Sequence, residues 1–251
     1  MTTVLGIDIG GSGIKGGLVD IETGAMAAAR HRLPTPEDAR PDDVAQVVNE
    51  VRKHFEYQGP IGSGFPAIVR DGTAFSAANV DPGWIGTNIE TLLGKATGCP
   101  AFVLNDADAA GIAEMAFGAG KNVQRGVVLM LTIGTGIGSA VFVNRHLLPN
   151  TEFGHIEIRG KDAERRASDA TRKRKNLTWE QWARRFQEYL STMEMLICPD
   201  LIILGGGASK SPELFFPYLK VRAKLVPAEL QNEAGIVGAA MYAAQRSHLA
   251  R

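Results

Sequence analysis

Cysteine is scarce in this chain: among 251 residues only Cys99 and Cys198 occur, each followed by a proline and far from the other. Two such residues supply neither a disulfide framework nor a cysteine zinc motif, so a reduced, cytoplasmic setting is expected. Net charge is missing as well, with 27 basic residues against 27 acidic ones. That balance argues against holding nucleic acid or a membrane by bulk charge, although it leaves open where the charges sit. Long apolar runs are also lacking. The longest uncharged stretch, Val127 to Val143, contains Gly134, Gly136 and Gly138 together with Thr132, Thr135 and Ser139, which suits a strand, turn and strand better than a membrane span. No signal peptide is expected, because Asp8 breaks the first apolar run and no basic residue precedes it. With 45% apolar residues the chain has ample material for a core, and disorder is excluded.

What is present reads as two similar lobes. Val4 to Ile9 is a β-rich run, Gly10 to Gly13 make a flexible turn, and Leu18 and Val19 restart an apolar stretch that ends at Asp20. A second turn at Glu22-Thr23-Gly24 leads into Ala25 to Leu33, so a three-strand meander is expected. Shifting the sequence by about 124 positions repeats the pattern in Val127 to Ile133, Gly134 to Gly138 and Ala140 to Val143, an internal duplication. Helical stripes follow in each half: Val44, Val47, Val48, Val51 and Phe55 in the first, and Trp179, Trp182, Phe186, Leu190, Met193 and Ile197 in the second. Strands are expected at Ile61 to Phe65, Ala101 to Leu104 and Leu201 to Leu204, and a closing Ala/Gly-rich helix over roughly Ala234 to His248. The expected fold is α/β with a cleft between two lobes, one formed by 1–105 with 234–251 and the other by 106–233.

Three glycine turns stand at strand ends. Gly11-x-Gly13-x-x-Gly16 formally matches the dinucleotide fingerprint, but that motif needs a helix directly afterwards and a strand-like run follows instead. A Walker A loop fails too, since Lys15 is followed by Gly16 rather than by Ser or Thr. What remains is a hairpin that is either an ordinary tight turn or a phosphate cradle, with the amides of Gly10, Gly11 and Gly13, the Ser12 hydroxyl, the Lys15 charge and Asp8 facing a hydrated metal. A second turn at Thr132 to Gly138, with Gly134, Thr135 and Gly136, and a third at Gly205-Gly206-Gly207 shift the balance towards phosphate.

Asn105-Asp106 lies where a strand meets an alanine-rich helix. Either residue suits a helix cap, and a carboxylate there also suits a general base; Asp108 competes for that role, with Asp106 favoured by its place at the junction. Glu152-Phe153-Gly154-His155 offers two polar groups for hydroxyls, although a lone histidine is more often structural.

Together these residues resemble the ROK family of sugar kinases, within the actin-like ATPase (RNase H-like) superfamily, over almost the whole chain. Asp8 to Lys15 looks like the phosphate hairpin of the family's polyphosphate-using branch, Leu104 to Asp108 like its catalytic segment, Thr132 to Gly138 like its second hairpin, and Glu152 to His155 like its sugar segment. The resemblance implies phosphorylation of glucose, or mannose, at the 6-hydroxyl with polyphosphate and/or ATP and Mg²⁺. It places the base on Asp106 and sugar contacts on Asn79, Asn105, Glu152, His155 and Glu164. For Glu164 a solvated helix carboxylate is the bland alternative, and for Asn79 a turn residue. Many members follow the histidine with a cysteine cluster that binds zinc; Arg159 to Ala163 contains no cysteine, so no zinc is expected. Homodimerisation is implied by the family alone.

The donor is harder to read. Arg159 to Arg185 holds ten basic and four acidic residues, a local +6 that leaves −6 on the rest. Its densest part, Arg172-Lys173-Arg174-Lys175, is either a solvated face or a track for polyphosphate. Three other classes remain as alternatives. One is a strictly ATP-dependent ROK hexokinase. Another is a non-catalytic sugar-responsive regulator, which in this family carries a helix-turn-helix ahead of the hairpin. The last is an actin-like filament or chaperone, which would not need Asn105, Glu152 and His155. Binding of nucleic acid by the basic segment would show as steep salt dependence; no nucleic-acid or membrane partner is expected.

Overall fold

A computed structural model describes residues 2–77 and 80–248, which form two compact units, one of 2–77 and 80–117 with 233–248 and the other of 118–232. In the first, strands β1 (Thr3–Gly10), β2 (Gly13–Asp20) and β3 (His31–Leu33) form the meander, followed by helix α1 (Pro41–His54) and β4 (Ile61–Phe65). A small hairpin of β5 (Val69–Arg70) and β6 (Thr73–Ala74), helix α2 (Ile89–Thr97), β7 (Ala101–Asn105) and helix α3 (Asp106–Ala116) complete it, with the closing helix Ala234–Arg246. The main sheet runs β3-β2-β1-β4-β7, with β1, β4 and β7 parallel.

The sequence of β1 explains its neighbours. Leu5, Ile7 and Ile9 alternate onto one face and meet Val44, Val48 and Val51 of α1 in a shared core. Gly6 and its register partner Gly62 lie on the other face, where the backbone of the closing helix comes so close that a Cβ on either would strike a carbonyl of Ile236 or Ala239. The Ala/Gly-rich composition of that helix is therefore the mark of a close-packed contact.

The second unit repeats the plan: β8 (Val127–Ile133), β9 (Ile137–Val143) and β10 (His146–Leu148), then short helices α4 (Glu164–Ala167) and α5 (Asp169–Arg174), the long α6 (Trp179–Ile197), β11 (Leu201–Gly205) and β12 (Lys224–Pro227). Its sheet order, β10-β9-β8-β11-β12, matches the first, as a duplication requires. Helix α6 starts with a capping box between Thr178 and Gln181 and buries Trp182, Phe186, Leu190 and Met193, the expected stripe. No helix among the described residues is long and apolar enough to cross a membrane.

Three expectations need correction. The third strand is confined to His31–Leu33, because the chain from Ala25 is tied only by an isolated bridge, Val19 to Met26. The closing helix stops at Arg246. The unit boundary falls after Phe117 rather than at 105/106, so the helix carrying Asp106 belongs to the first unit; the reason is the contact of Ala109 with Gly238 of the closing helix.

Candidate active site

The first unit gathers its polar groups at the carboxyl ends of its parallel strands, the usual ligand-binding edge of such sheets. Asp8 on β1 pairs with Gly64 on β4, whose neighbour across is Leu104, and the Gly64 Cα side faces the backbone of Asp106. At the β7–α3 junction Asn105 is the cap: its Oδ1 accepts from the N–H groups of Ala107 (2.8 Å) and Asp108 (3.1 Å), and its Nδ2 donates to Ala67 O (3.1 Å). Asn105 is buried, and only one of its amide hydrogens remains for a ligand. Asp106 is half-buried, its Oδ1 receiving the Ala107 N–H at 2.8 Å, whereas Asp108 is 1% exposed. Of the two carboxylates, Asp106 is the more exposed.

The first hairpin turns through exposed Gly11 and Ser12. Its carbonyls are occupied from behind: Thr35 donates to Gly10 O and Arg32 donates to Ser12 O at 2.7 Å. Arg32 also stacks its guanidinium against Gly13, a second cation at this turn that motif reading missed. Lys15 Nζ and Asp8 Oδ2, cross-strand partners, form an ion pair at 2.8 Å. Each is therefore engaged with the other rather than standing free.

The second unit brings the other two glycine turns together. Gly206, with φ +80°, lies against the Ile133 backbone beside the second hairpin, where any Cβ would collide. Gly205 is the register partner of Thr132. Exposed Thr135 crowns that hairpin, and the Ala170 N–H of α5 donates to Gly134 O at 3.1 Å. Glu164 is not a solvated helix carboxylate: its Oε2 accepts the Ile137 N–H at 3.3 Å and packs on Gly136.

Gly154 lies so close to Ile137 O that the Glu152–His155 turn is pinned to the same hairpin. Buried Ser139 holds the preceding stretch, accepting from Phe153 N–H (3.1 Å) and lying 2.7 Å from Thr151 O. The signal for it was a hydroxyl in an otherwise apolar strand, which needs a partner when buried. His155 is exposed, with Nδ1 3.3 Å from Asp162 Oδ2 and Nε2 3.8 Å from Glu152 Oε2. One ligand atom each of His155, Asp162 and Glu164 lie within 4.8 Å of one another. Asn79 lies outside the described residues.

Burial raises the Glu152 carboxyl above its ordinary pKa; His155 works against that shift and Glu164 adds to it. A raised carboxyl pKa means that wild-type stability falls as pH rises from the ordinary value of 4.5 through the folded-state value. Glu152→Gln, which does not titrate, is expected to melt higher than wild type at neutral pH, with the difference vanishing below that window. Thermal denaturation across pH checks this, and equal melting temperatures at neutral pH would remove the buried charge as a source of strain.

Two layered α/β units with one sheet topology, each with glycine hairpins at the sheet edge, define the actin-like ATPase fold. Residues 4–170 match the ROK family, and the chain belongs to it. It is 50% identical over 237 residues to a polyphosphate glucokinase of Mycobacterium tuberculosis, covering 94% of this chain and 89% of that protein. A solved inorganic polyphosphate/ATP-glucomannokinase from Arthrobacter sp. strain KM superposes with a TM-score of 0.94 at 46% identity, over 98% of this chain and all of the other. A ROK family glucokinase from Streptomyces griseus, solved with glucose and AMPPNP, shares the fold at 24% identity, with a TM-score of 0.82 and coverage of 97% and 100%.

Proposed function

We propose that this chain transfers a phosphoryl group from inorganic polyphosphate or ATP to the 6-hydroxyl of glucose, with mannose as a second acceptor. The observation that carries this reading is likeness along nearly the whole chain to two enzymes whose names specify those donors and sugars. In the transfer, the sugar oxygen bonds to the terminal phosphorus, the bond from that phosphorus to the donor's bridging oxygen breaks, and the shortened donor leaves with the electron pair. The hydroxyl proton passes to Asp106. Because the transition state is loose, positioning and charge neutralisation supply most of the rate.

In this reading Glu152 and His155 orient sugar hydroxyls, and Asp162 holds the far side of the His155 ring. Glu164 supports them from the second hairpin, Asn105 offers its remaining amide hydrogen, and Asn79 joins on family resemblance alone. The amides of Gly10, Gly11, Gly13, Gly136, Gly205 and Gly206, the hydroxyls of Ser12, Thr132 and Thr135, and Lys15 receive phosphate oxygens, while the Gly134 N–H, which donates to Gly136 O at 3.0 Å, shapes the second hairpin. Asp8 presents a hard carboxylate at the same strand ends, with one oxygen on Lys15. Such a group fits Mg²⁺ held through water, and the ion when bound would neutralise phosphate charge. The family's cysteine zinc cluster is not expected here, since Arg159 to Ala163 supply no thiolate. A homodimer is proposed on family resemblance alone, and a reduced, cytoplasmic setting on the scarcity of cysteine.

A coupled assay for sugar 6-phosphate with Mg²⁺, pairing glucose and mannose with ATP and polyphosphate, tests the proposal. Product from glucose with polyphosphate is expected; no product from any pairing would overturn it.

A further inference from the structure

The first hairpin carries its charges in one registered row. Asp8 on β1 stands opposite Lys15 on β2, and Lys15 stands opposite Arg32 on β3. Cross-strand partners share a face of the sheet, so all three side chains leave it on the same side. That side is the one away from α1. Gly6, two residues before Asp8, meets the backbone of the closing helix there, and a Cβ on Gly235, at the start of that helix, would come 3.2 Å from Asp8 Cγ. In the other direction the row continues from Asp8 through Gly64 on β4 to Leu104 on β7, the strand that leads into Asp106. Arg32 therefore stands at one end of a row whose other end adjoins the proposed base.

Within the row the charges do not cancel. Asp8 and Lys15 form an ion pair at 2.8 Å and offset each other, whereas Arg32 makes no ion pair among the described residues. Its Nη2 donates to Ser12 O at 2.7 Å. A Cβ on Gly13 would meet its Nε, Nη2 and Cζ at 2.6, 2.7 and 2.8 Å. Those near-equal distances lay the plane of the guanidinium over the Gly13 Cα, on the turn itself. Most of its N–H donors are left for a ligand, and Arg32, Gly11 and Ser12 are all exposed. Bracing a turn carbonyl needs only a neutral donor, as the Thr35 hydroxyl shows at Gly10 O. A charged fork at the same turn exceeds that need, and what it adds is a positive charge with no counter-charge.

We infer that Arg32 is a donor-binding residue, whose guanidinium, held over Gly13, pairs with phosphate oxygens of the phosphoryl donor seated on the first hairpin. The inference rests on the phosphate role proposed above for that hairpin. Arginine suits the task because its planar fork can meet two phosphate oxygens at once. The stack on Gly13 and the bond to Ser12 O hold the fork in place before a donor arrives, so less side-chain freedom is lost on binding. Neutralisation of phosphate charge supplies much of the rate of a loose transfer, so a cation here acts on turnover as well as on affinity. ATP and polyphosphate both present a phosphate chain to the hairpin, and Arg32 serves both.

The test compares wild type with Arg32→Gln, Arg32→Lys and Thr35→Ala at fixed glucose and Mg²⁺, with ATP and tripolyphosphate as donors. Arg32→Gln is expected to lower kcat/KM for both donors about 10²-fold, the usual loss when one preorganised partner of a developing charge is removed. Arg32→Lys keeps the charge without the fork and should recover to within about tenfold of wild type. Thr35→Ala, which removes only a neutral brace, should change kcat/KM less than about threefold. Glucose affinity by calorimetry is expected to match wild type in all three variants. A second titration, of tripolyphosphate into the protein without sugar, reads the contact directly. Its Kd should rise about tenfold in Arg32→Gln and become less sensitive to salt, as the loss of one charge contact requires. Wild-type kinetics in Arg32→Gln overturns the inference. So does an equal fall in Arg32→Lys and Arg32→Gln with the tripolyphosphate Kd unchanged in both, which would leave Arg32 only a brace for the turn. A wild type that forms no sugar phosphate from either donor overturns the proposed function instead, and the tripolyphosphate titration still decides whether Arg32 meets phosphate.

Discussion

Asp106→Asn is expected to lower kcat by about 10²–10⁴-fold, the usual contribution of a positioned general base, with glucose affinity by calorimetry close to wild type. The substitution is nearly isosteric. An asparagine keeps the oxygen that receives the Ala107 N–H at 2.8 Å, so the first turn of α3 and the Asn105 cap stay as they are. What it removes is the capacity to accept a proton. A sugar hydroxyl must lose its proton as the oxygen bonds to phosphorus, and without a base at that point the alkoxide has to form unaided. Asp108 is the natural comparison. It sits two residues on, at 1% exposure, where a change reports on folding and not on turnover. Near-normal kcat in Asp106→Asn would take the base role away from this residue.

Much of this site was legible because its signals are local. The strand, glycine turn and strand at Val4 to Asp20 announce a hairpin, and the echo at Val127 to Val143 announces the second sheet. Even the Asp8–Lys15 ion pair was within reach: a two-residue turn at Gly11-Ser12 pairs Gly10 with Gly13, and counting outward pairs Asp8 with Lys15. Other features were hidden because they depend on contacts between distant segments. Arg32 reaches Ser12 O only through a strand of three residues, too short for any alternation to show. Strand β12 has no buried residue and therefore carries no pattern. Glu164 looks like a solvated carboxylate until the hairpin amide of Ile137 is placed against it. The run Arg172 to Lys175 reads as one block of charge, and only the fold shows that Asp169 divides it in two.

The unit boundary after Phe117 likewise depends on a contact between distant segments, Ala109 against Gly238. Gly238→Ala is expected to lower the melting temperature by up to about 8 °C, although replacing a helical glycine by alanine normally stabilises a helix by about 1 kcal/mol. The difference lies in what the new methyl group meets. At Gly238 a Cβ would be driven into the Ala109 carbonyl, which is backbone of α3 and has no rotamer to yield. Overpacking of this kind costs about 1–3 kcal/mol and occasionally more, and each kcal/mol shifts melting by about 2–4 °C in a chain of this size. Gly94→Ala in α2 reverses the sign: its Cβ meets only Cys99 O, at an ordinary 3.5 Å, so the gain in helix propensity should emerge as a small rise. The two variants differ in a second readout. Relief at Gly238 requires α3 to move, and α3 begins with Asp106, so the folded fraction of Gly238→Ala should lose kcat as well; a displacement of about 1 Å in a catalytic group can cost about 10²-fold. A Gly238→Ala protein that melts like wild type and turns over at full rate would mean that the closing helix neither fixes α3 nor sets the position of the base.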